Sequence, residues 1–220
     1  MSPPSYPVSQ TEKVNAYLQA MQDVRERIDL LNAAIADRKT PLNLTVEICH
    51  LQFRHIAELV TIGCLLALGD FKLYRSFQNS YNPKEVFKRL DSIWPHSFPV
   101  STETTWINNE YNVLVGKKAS AISRPELEQL WAKSGNTLHR LSIQKYFKQR
   151  QPNEAASSLE DVKSTTAKIV DLLDSHAIFL PSPKRMLSVS LSQPDCKVLA
   201  YLMMYGDQFT NATVESFRLL

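Results

Sequence analysis

The chain has 220 residues, of which 44% are hydrophobic and 21% are charged. This length and composition fit one globular domain, or one domain with an appendage, that buries a sizeable core. The formal net charge is only +3, so the overall charge does not require a polyanionic partner.

The N-terminal third predicts two long helices after a loose start. Residues 1–10 contain three prolines and have neither the basic start nor the apolar stretch of a targeting peptide, which predicts a disordered lead-in. Apolar residues from Thr11 to about Asp37 recur at spacings of three and four, the pattern of an amphipathic helix. A second helix, from about residue 43 to Leu68, is apolar nearly all round and is therefore expected at the centre. Its most apolar stretch, residues 59–68, is too short to cross a bilayer.

The middle of the chain begins with a short third helix and then loses its periodicity. Asn82 is a good helix cap and Pro83 suits the first helical position, so we expect a helix that ends near Ile93. Prolines and a Ser/Thr cluster predict a loop-rich insertion over about 94–122, with a weak hairpin in residues 106–115.

A strong helix start follows this insertion. Ser123-Arg-Pro-Glu126 matches a capping box, and an apolar stripe continues the fourth helix towards Lys148. Gly135 interrupts this stripe, which indicates a close approach of another helix. After a polar break at residues 151–158, a fifth helix is expected over about 159–175.

The C-terminal tail changes to the two-residue period of β-strands. Leu187, Val189 and Leu191 alternate with serines, and we expect a three-stranded meander over 177–180, 187–192 and 198–205. The predicted fold is mainly α with a C-terminal β element (α+β), in which four or five helices form a bundle-like assembly. The predicted division is a helical domain over 11–175 and a β-meander appendage over 176–220, packed on the helices.

The three cysteines, at positions 49, 64 and 196, are too far apart in sequence to form a metal-ligand pattern. Free thiols in a reducing compartment are expected, so we predict a cytoplasmic protein with no membrane association. His50 and His55 lie five residues apart and diverge around the helix, and no glycine-rich phosphate loop is present. The sequence therefore predicts no metal and no cofactor.

The second helix carries a polar stripe on an otherwise apolar rod. Four ionisable side chains follow one another at spacings of three, four and four, namely Glu47, His50, Arg54 and Glu58. Because such groups are costly to bury unpaired, they must pair, face solvent or line a site. A structural network, such as Arg54 bonded to Glu58, and a ligand site both remain open.

The fourth helix contains a second candidate site. Lys133, Asn136 and His139 lie within two turns, and helical spacing brings neighbouring members of this set onto a shared face. His139 has the side-chain type for general-base catalysis on a ribose hydroxyl, and Lys133 for neutralising a phosphate in the transition state. Asn136 would orient either group. These three are our candidate catalytic residues.

Residues Ser123 to Arg140, together with Glu47 to Asp70, resemble an uncharacterised group of bacterial helical proteins. The corresponding helix there reads Arg-Cys-Gly-acidic-x-Leu-His, which is similar to the Arg-x(4–6)-His motif of HEPN-type helical domains. The resemblance covers about half the chain. It implies a metal-independent ribonuclease of the toxin or phage-defence type that acts as a homodimer, with Lys133 in the place of the arginine and His139 in that of the histidine. Lysine lacks the bidentate grip of arginine on phosphate and would act there as a point charge.

A basic strip follows the motif. No acidic residue occurs from Gln129 to Asn153, and the candidate nucleic-acid-binding cations there are Arg140, Lys145, Lys148 and Arg150. Such a strip suits a phosphate backbone, but a solvated helix end, whose cations the helix macrodipole favours, is the preferred explanation. The resemblance still favours an RNA partner, and leaves two alternatives. One is a non-catalytic regulatory module that binds a protein partner; the other is a small-ligand sensor built on the polar stripe.

Overall fold

The computed structural model describes residues 9–68, 82–107, 110–116, 118–138, 152–181, 185–192, 197–205 and 212–218. Within these ranges the chain forms five α-helices, which are α1 (Gln10–Ala36), α2 (Leu42–Leu68), α3 (Pro83–Ile93), α4 (Arg124–Leu138) and α5 (Pro152–Leu173). It also forms six β-strands, β1 (Val100–Ile107), β2 (Glu110–Val115), β3 (Ser175–Phe179), β4 (Arg185–Ser190), β5 (Leu199–Tyr205) and β6 (Ala212–Arg218). The predicted fold class, helices with a C-terminal antiparallel meander, is confirmed.

The long helices α1 and α2 are antiparallel neighbours. A Cβ at Gly63 would lie 3.0 Å from Met21 Cε and 3.2 Å from Tyr17 Cε2, so the absence of a side chain lets the helices approach closely. Further along, Arg27 Nη1 donates a hydrogen bond of 3.2 Å to Gln52 Oε1. The inner face of α2 packs into the main core through fully buried residues such as Phe53 and Ile56.

The helix ends follow the local sequence signals. Asn82 caps α3 and Pro83 occupies its first turn, as predicted. The Glu126 carboxylate accepts from the Ser123 backbone N–H at 2.8 Å, which is the expected capping contact at the start of α4. Helix α1 begins at Gln10, one residue earlier than the predicted start at Thr11, because Ser9 forms a capping box with Glu12. Residues 1–8, the rest of the predicted lead-in, lie outside the described residues.

Two helix boundaries differ from the prediction or cannot be compared with it. Helix α5 begins at Pro152 and not near residue 159, because proline at a first helical position followed by Asn-Glu-Ala-Ala is compatible with a helix despite its polarity. Helix α4 is described as far as Leu138, so its predicted extension to Lys148 falls outside the described residues.

All six strands belong to one antiparallel sheet with the order β2-β1-β3-β4-β5-β6. The meander has one more strand than predicted, because β6 pairs along β5 from Ala212 opposite Tyr205 to Arg218 opposite Leu199. As an edge strand with one neighbour, β6 does not need the continuous apolar run that marks a central strand. The segment 94–122 contains the expected hairpin, which is longer than predicted: β1 already starts at Val100, and β1 and β2 pair from Thr102 opposite Val115 to Ile107 opposite Glu110.

The sheet shares the main core with the helices. Alternate side chains such as Ile178, Leu187 and Leu202 belong to the same buried cluster as the inner faces of α1, α2, α4 and α5. The other face of the sheet forms a second, smaller buried cluster of Ala177, Met186 and Met203. The predicted alternation is therefore present, but Ser188 on the second face is buried and not solvated as its polarity suggests.

Helix α2 is the one described helix that is long and apolar enough to cross a membrane by length and composition. Most of its apolar stretch is buried inside the protein, as expected for the core helix of a soluble protein. The ten most apolar residues of α2 are too few to cross a bilayer, but the whole helix, with 27 residues, is long enough. Its burial against α1, α4 and α5 explains the apolar composition without a bilayer.

Candidate functional site

Lys133 and Asn136 both lie on the exposed surface of α4. The Lys133 side chain is 61% exposed, and its Nζ lies 3.6 Å from Asp161 Oδ2 of α5. Asn136 is also exposed, less than one turn further along the helix. Helix α4 thus presents two members of the candidate catalytic set to solvent. The third member, His139, lies outside the described residues, as do Arg140, Lys145, Lys148 and Arg150.

A groove of about 370 Å³ runs between α4 and α5 beside Lys133. Its lining includes Gln129, Thr165 and the two lysines 133 and 168. Lys168 Nζ donates to Glu126 Oε1 at 2.8 Å, and this hydrogen bond is the main reason that the pKa of Glu126 falls to about 2. The groove therefore contains two ammonium groups, each next to a carboxylate that is exposed enough for salt to screen the pair.

The stripe on α2 meets α4 at His50. His50 Nδ1 lies 3.0 Å from Ser134 Oγ, and both side chains are buried. His50 also lines a partly open cavity of about 50 Å³ between α2, α4 and α5, whose polar lining includes Thr137 and Asp161. The ion pair between Lys133 and Asp161 lies at the same cavity. One face of α4 therefore contacts the polar stripe while the neighbouring face bears Lys133.

Arg54 and Glu58 form the centre of a contact between α2 and α4. Arg54 Nε donates to Glu58 Oε1 at 3.2 Å, and Trp131 Nε1 donates to the same oxygen at 2.9 Å. The Arg54 guanidinium lies over the Trp131 ring, 4.8 Å from its centroid. A Cβ at Gly135 would lie 2.6 Å from Arg54 Nη1, so the predicted close approach at this glycine is confirmed.

Three members of the polar stripe are therefore bonded to one another or to α4. His50 contacts Ser134. Arg54 and Glu58 form the ion pair that the structural-network alternative predicted. The fourth member, Glu47, is half-buried on α2 two turns before Arg54. A second histidine of α2, His55, lies 3.7 Å from Glu58 through its Nδ1. These contacts stabilise the packing of α2 on α4. Space for a ligand beside the stripe is present at the small cavity next to His50 and in a cleft of about 320 Å³ between α1 and α2, which is lined by Glu58, His55 and Arg27 among others.

Sequence reasoning missed two buried or half-buried polar clusters. Arg124 Nη1 donates to both carboxylate oxygens of Asp91 at 2.7 Å, and its Nε donates to Glu128 at 2.9 Å. The other cluster joins Tyr17 to His176 across 159 residues of sequence. The spacing of Arg124 and Glu128 indicates one of these contacts, but no local pattern reports the others because their partners are distant in sequence.

Among the described residues, no group of three or more His, Cys, Asp or Glu side chains is arranged to hold a metal ion. In comparisons with known proteins, no family model, no curated protein and no solved structure matches this chain.

Proposed function

We propose that this chain is a nucleic-acid-associated protein of the HEPN-like type, whose partner is RNA and whose reaction is metal-independent RNA cleavage. In this proposal His139 removes a proton from a ribose 2′-hydroxyl, Lys133 neutralises the charge that develops on the phosphate, and Asn136 orients one of these groups. Arg140, Lys145, Lys148 and Arg150 bind the RNA backbone. The toxin or phage-defence role and the bacterial origin come from the resemblance alone.

The observation that supports this proposal most directly is the exposure of Lys133, which lines the groove between α4 and α5, and of Asn136 on the same helix. A cation and an amide at an open surface are accessible to a polynucleotide, whereas buried groups would not be. Lys168 adds a second ammonium group in the same groove. The volume of about 370 Å³ admits part of a nucleotide chain.

Two further parts of the proposal concern assembly and location. The resemblance implies a homodimer, because HEPN-type domains place their motif at a subunit interface. A cytoplasmic location is supported by Cys49 and Cys64, which are free and buried, as expected in a reducing compartment.

The test is a comparison of RNA binding and RNA cleavage by the native chain and by His139→Ala and Lys133→Ala. We expect cleavage by the native chain without added metal, loss of cleavage in His139→Ala, and weaker binding in Lys133→Ala. Lys163→Ala is the matched control, because Lys163 is an exposed lysine of α5 that pairs with Glu160. Equal cleavage by the native chain and His139→Ala, or no cleavage by either protein, would rule out the proposed ribonuclease activity.

A non-catalytic regulatory or protein-interaction module is the second candidate. It is supported by the ion pair of Lys133 with Asp161, because a carboxylate beside the lysine repels an incoming phosphate. Salt-dependent RNA binding without cleavage would support an RNA-binding module of this kind. If the chain neither binds nor cleaves RNA, the interaction module with a protein partner is the alternative that remains.

A small-ligand sensor is the third candidate, and it is supported by the cavity beside His50. A volume of about 50 Å³ admits a ligand of only a few heavy atoms, since one water molecule occupies about 30 Å³ in the liquid. Ligand-dependent stabilisation in a thermal-shift screen, abolished by His50→Ala or Arg54→Ala, would support this candidate.

A further inference from the structure

The cleft of about 320 Å³ between α1 and α2 combines charged and apolar side chains, and it shares no lining residue with the groove beside Lys133. Its described lining comes from three residues of α1 at spacings of three and one, and from four residues of α2 at spacings of three, one and three. These spacings make one continuous face on each helix. The volume lies at the lower end of the range for small-molecule sites, about 300–1,000 Å³, so the cleft suits a compact ligand.

The cleft is charged at one end and apolar at the other. At one end Arg27 donates its hydrogen bond to Gln52 across the two antiparallel helices. Towards the other end Met21 lies against Gly63. Ile62, the neighbour of Gly63, therefore belongs to the end of the cleft that is opposite Arg27. A ligand that lies along the cleft would need a charged head and an apolar body.

Two carboxylates of the cleft have no cationic partner in the described part of the chain. Asp23 Oδ1 accepts a hydrogen bond of 3.1 Å from the Gln19 amide, and Glu26 Oε1 accepts one of 3.4 Å from the Gln22 amide. Because they lie three residues apart on one helix, the two negative charges repel each other. Among the described residues no His, Cys, Asp or Glu group is arranged to hold a metal ion, so the cation that suits this pair is an organic ammonium group.

Arg27 supplies the opposite charge in the same cleft. Its Nη1 donates to a neutral acceptor, Gln52 Oε1, at 3.2 Å, and it forms no ion pair with the described carboxylates. A guanidinium has five N–H donors in a planar fork that matches a carboxylate, so one hydrogen bond leaves most of the fork available. Arg27 is therefore suited to hold the carboxylate of a ligand.

The third carboxylate of the cleft, Glu58, is already bonded. Its Oε1 accepts from Arg54 at 3.2 Å and from Trp131 at 2.9 Å, and its Oε2 lies 3.7 Å from His55 Nδ1. Glu58 thus joins the wall of the cleft to α4 and positions His55. The charges that remain for a ligand are two carboxylates and one guanidinium.

We propose that the cleft binds a small zwitterion of the α-amino-acid type that carries an apolar side chain. Its ammonium group lies between Asp23 and Glu26, and its carboxylate meets Arg27. Its side chain packs on the half-buried Leu59 and Ile62. A simple amine would leave the guanidinium unused, and a simple carboxylic acid would gain nothing from the two carboxylates, so the cleft selects a ligand with both charges.

The first experiment compares three ligands on the native full chain by titration calorimetry, at fixed pH and ionic strength. The ligands are leucine, 3-methylbutylamine, which lacks the carboxylate of leucine, and 4-methylpentanoate, which lacks its ammonium group. We expect leucine to bind with a dissociation constant of about 10 mM or tighter, as is reasonable for a ligand of its size. Each analogue should bind at least about tenfold more weakly, because one charge-assisted contact is lost. No leucine binding in this range, or an amine that binds as tightly as leucine, would overturn the inference.

The second experiment assigns the two charges with matched variants. Arg27→Met should weaken leucine binding about tenfold without changing the affinity for the amine, whereas Asp23→Asn should weaken the binding of both. Arg38→Met and Asp29→Asn are the controls, because these residues are exposed and do not line the cleft. An Arg27→Met variant with the leucine affinity of the native chain would contradict the assignment. The ligand series on the native chain remains decisive if a variant fails to fold.

Amino-acid binding at this cleft goes beyond the proposed function and does not depend on it. RNA binding is therefore assayed separately on the same proteins. RNA binding without leucine binding would remove the cleft ligand and retain the proposed function, and leucine binding without RNA binding would do the reverse.

Discussion

The Tyr17 hydroxyl donates a hydrogen bond of 2.7 Å to Nε2 of His176, which joins the first helix to the first strand after α5. The direction of this bond follows from the other ring nitrogen. His176 Nδ1 lies 2.8 Å from the Leu173 carbonyl oxygen, which can only accept, so Nδ1 carries the proton and Nε2 accepts from Tyr17. Both side chains are fully buried. The imidazole is therefore held neutral between one donor and one acceptor.

This arrangement predicts acid sensitivity. Burial lowers the pKa of His176 from 6.5 to about 4, against the opposing effects of the Leu173 carbonyl and the Asp174 charge. Between these values the unfolded chain binds the proton and the folded chain does not, so stability is complete above about pH 6.5 and is lost as the pH falls towards 4. The full shift corresponds to about 3 kcal/mol.

Urea unfolding at a series of pH values checks this prediction. His176→Gln should lower the stability at neutral pH and flatten its decline between pH 6.5 and 4. His55→Gln is the control, because the His55 side chain is 40% exposed, and it should retain the slope of the native chain. An unchanged slope in His176→Gln would show that another group causes the acid sensitivity.

The contact of Arg54 with Gly135 predicts that the effect of Gly135→Ala on stability depends on whether Arg54 is present. Gly135→Ala should destabilise the protein by about 1 kcal/mol, because the new Cβ would lie 2.6 Å from Arg54 Nη1 and the guanidinium must shift against Glu58 and Trp131. In an Arg54→Ala background the same change should be neutral or stabilising by up to about 1 kcal/mol, since alanine favours the helix over glycine. Denaturant unfolding of the four proteins gives this double-mutant cycle. Additive effects would contradict the contact.

The two described cysteines should be inert in the folded protein. Burial raises the pKa of the Cys49 thiol to about 11 and that of Cys64 further, so the reactive thiolate is scarce and enclosed. In a Cys196→Ser variant, a thiol reagent should label the native protein slowly and only at the rate of unfolding. Adding urea should accelerate labelling in parallel with the loss of helix measured by circular dichroism. Rapid labelling without denaturant would show that α2 opens locally.

Removing the carboxylate from the ion pair between Lys133 and Asp161 should increase the RNA affinity, which tests the proposed RNA-binding surface. Asp161→Asn removes the carboxylate beside Lys133 and should strengthen RNA binding by up to about fivefold, because an exposed ion pair is worth about 0.2–1 kcal/mol. Glu160→Gln removes the same charge one residue earlier on α5, where its partner is Lys163. A filter-binding comparison should favour Asp161→Asn. Equal effects would mean that only the net charge matters.

Local signals predicted the helices because their information lies in the neighbouring residues. A few neighbouring residues were enough to predict the cap at Asn82 and the capping contact between Ser123 and Glu126. Gly135 also predicted a close approach to another helix, but the sequence did not indicate that Arg54 is the residue that lies against it. The fold class required only such local patterns and their periods.

Long-range partners were not predictable because no local period reports them. A hairpin was expected over residues 106–115, but the pairing of β1 with β3, in which Val100 lies opposite Ala177, joins segments that are distant in sequence. The polar stripe was recognised, but whether it formed a network or a ligand site depended on Trp131 and Ser134 of α4. The pairing of Tyr17 with His176 spans most of the chain and gave no signal in the sequence.

The pairing of β1 with β3 sets an order of events during synthesis. Ser175, whose hydroxyl lies 2.9 Å from that of Thr102, leaves the ribosome 73 residues after it. During that interval the β1–β2 hairpin exposes an unpaired edge, which is a template for aggregation. Nascent chains that stall before residue 175 should consequently be the ones that require chaperone protection.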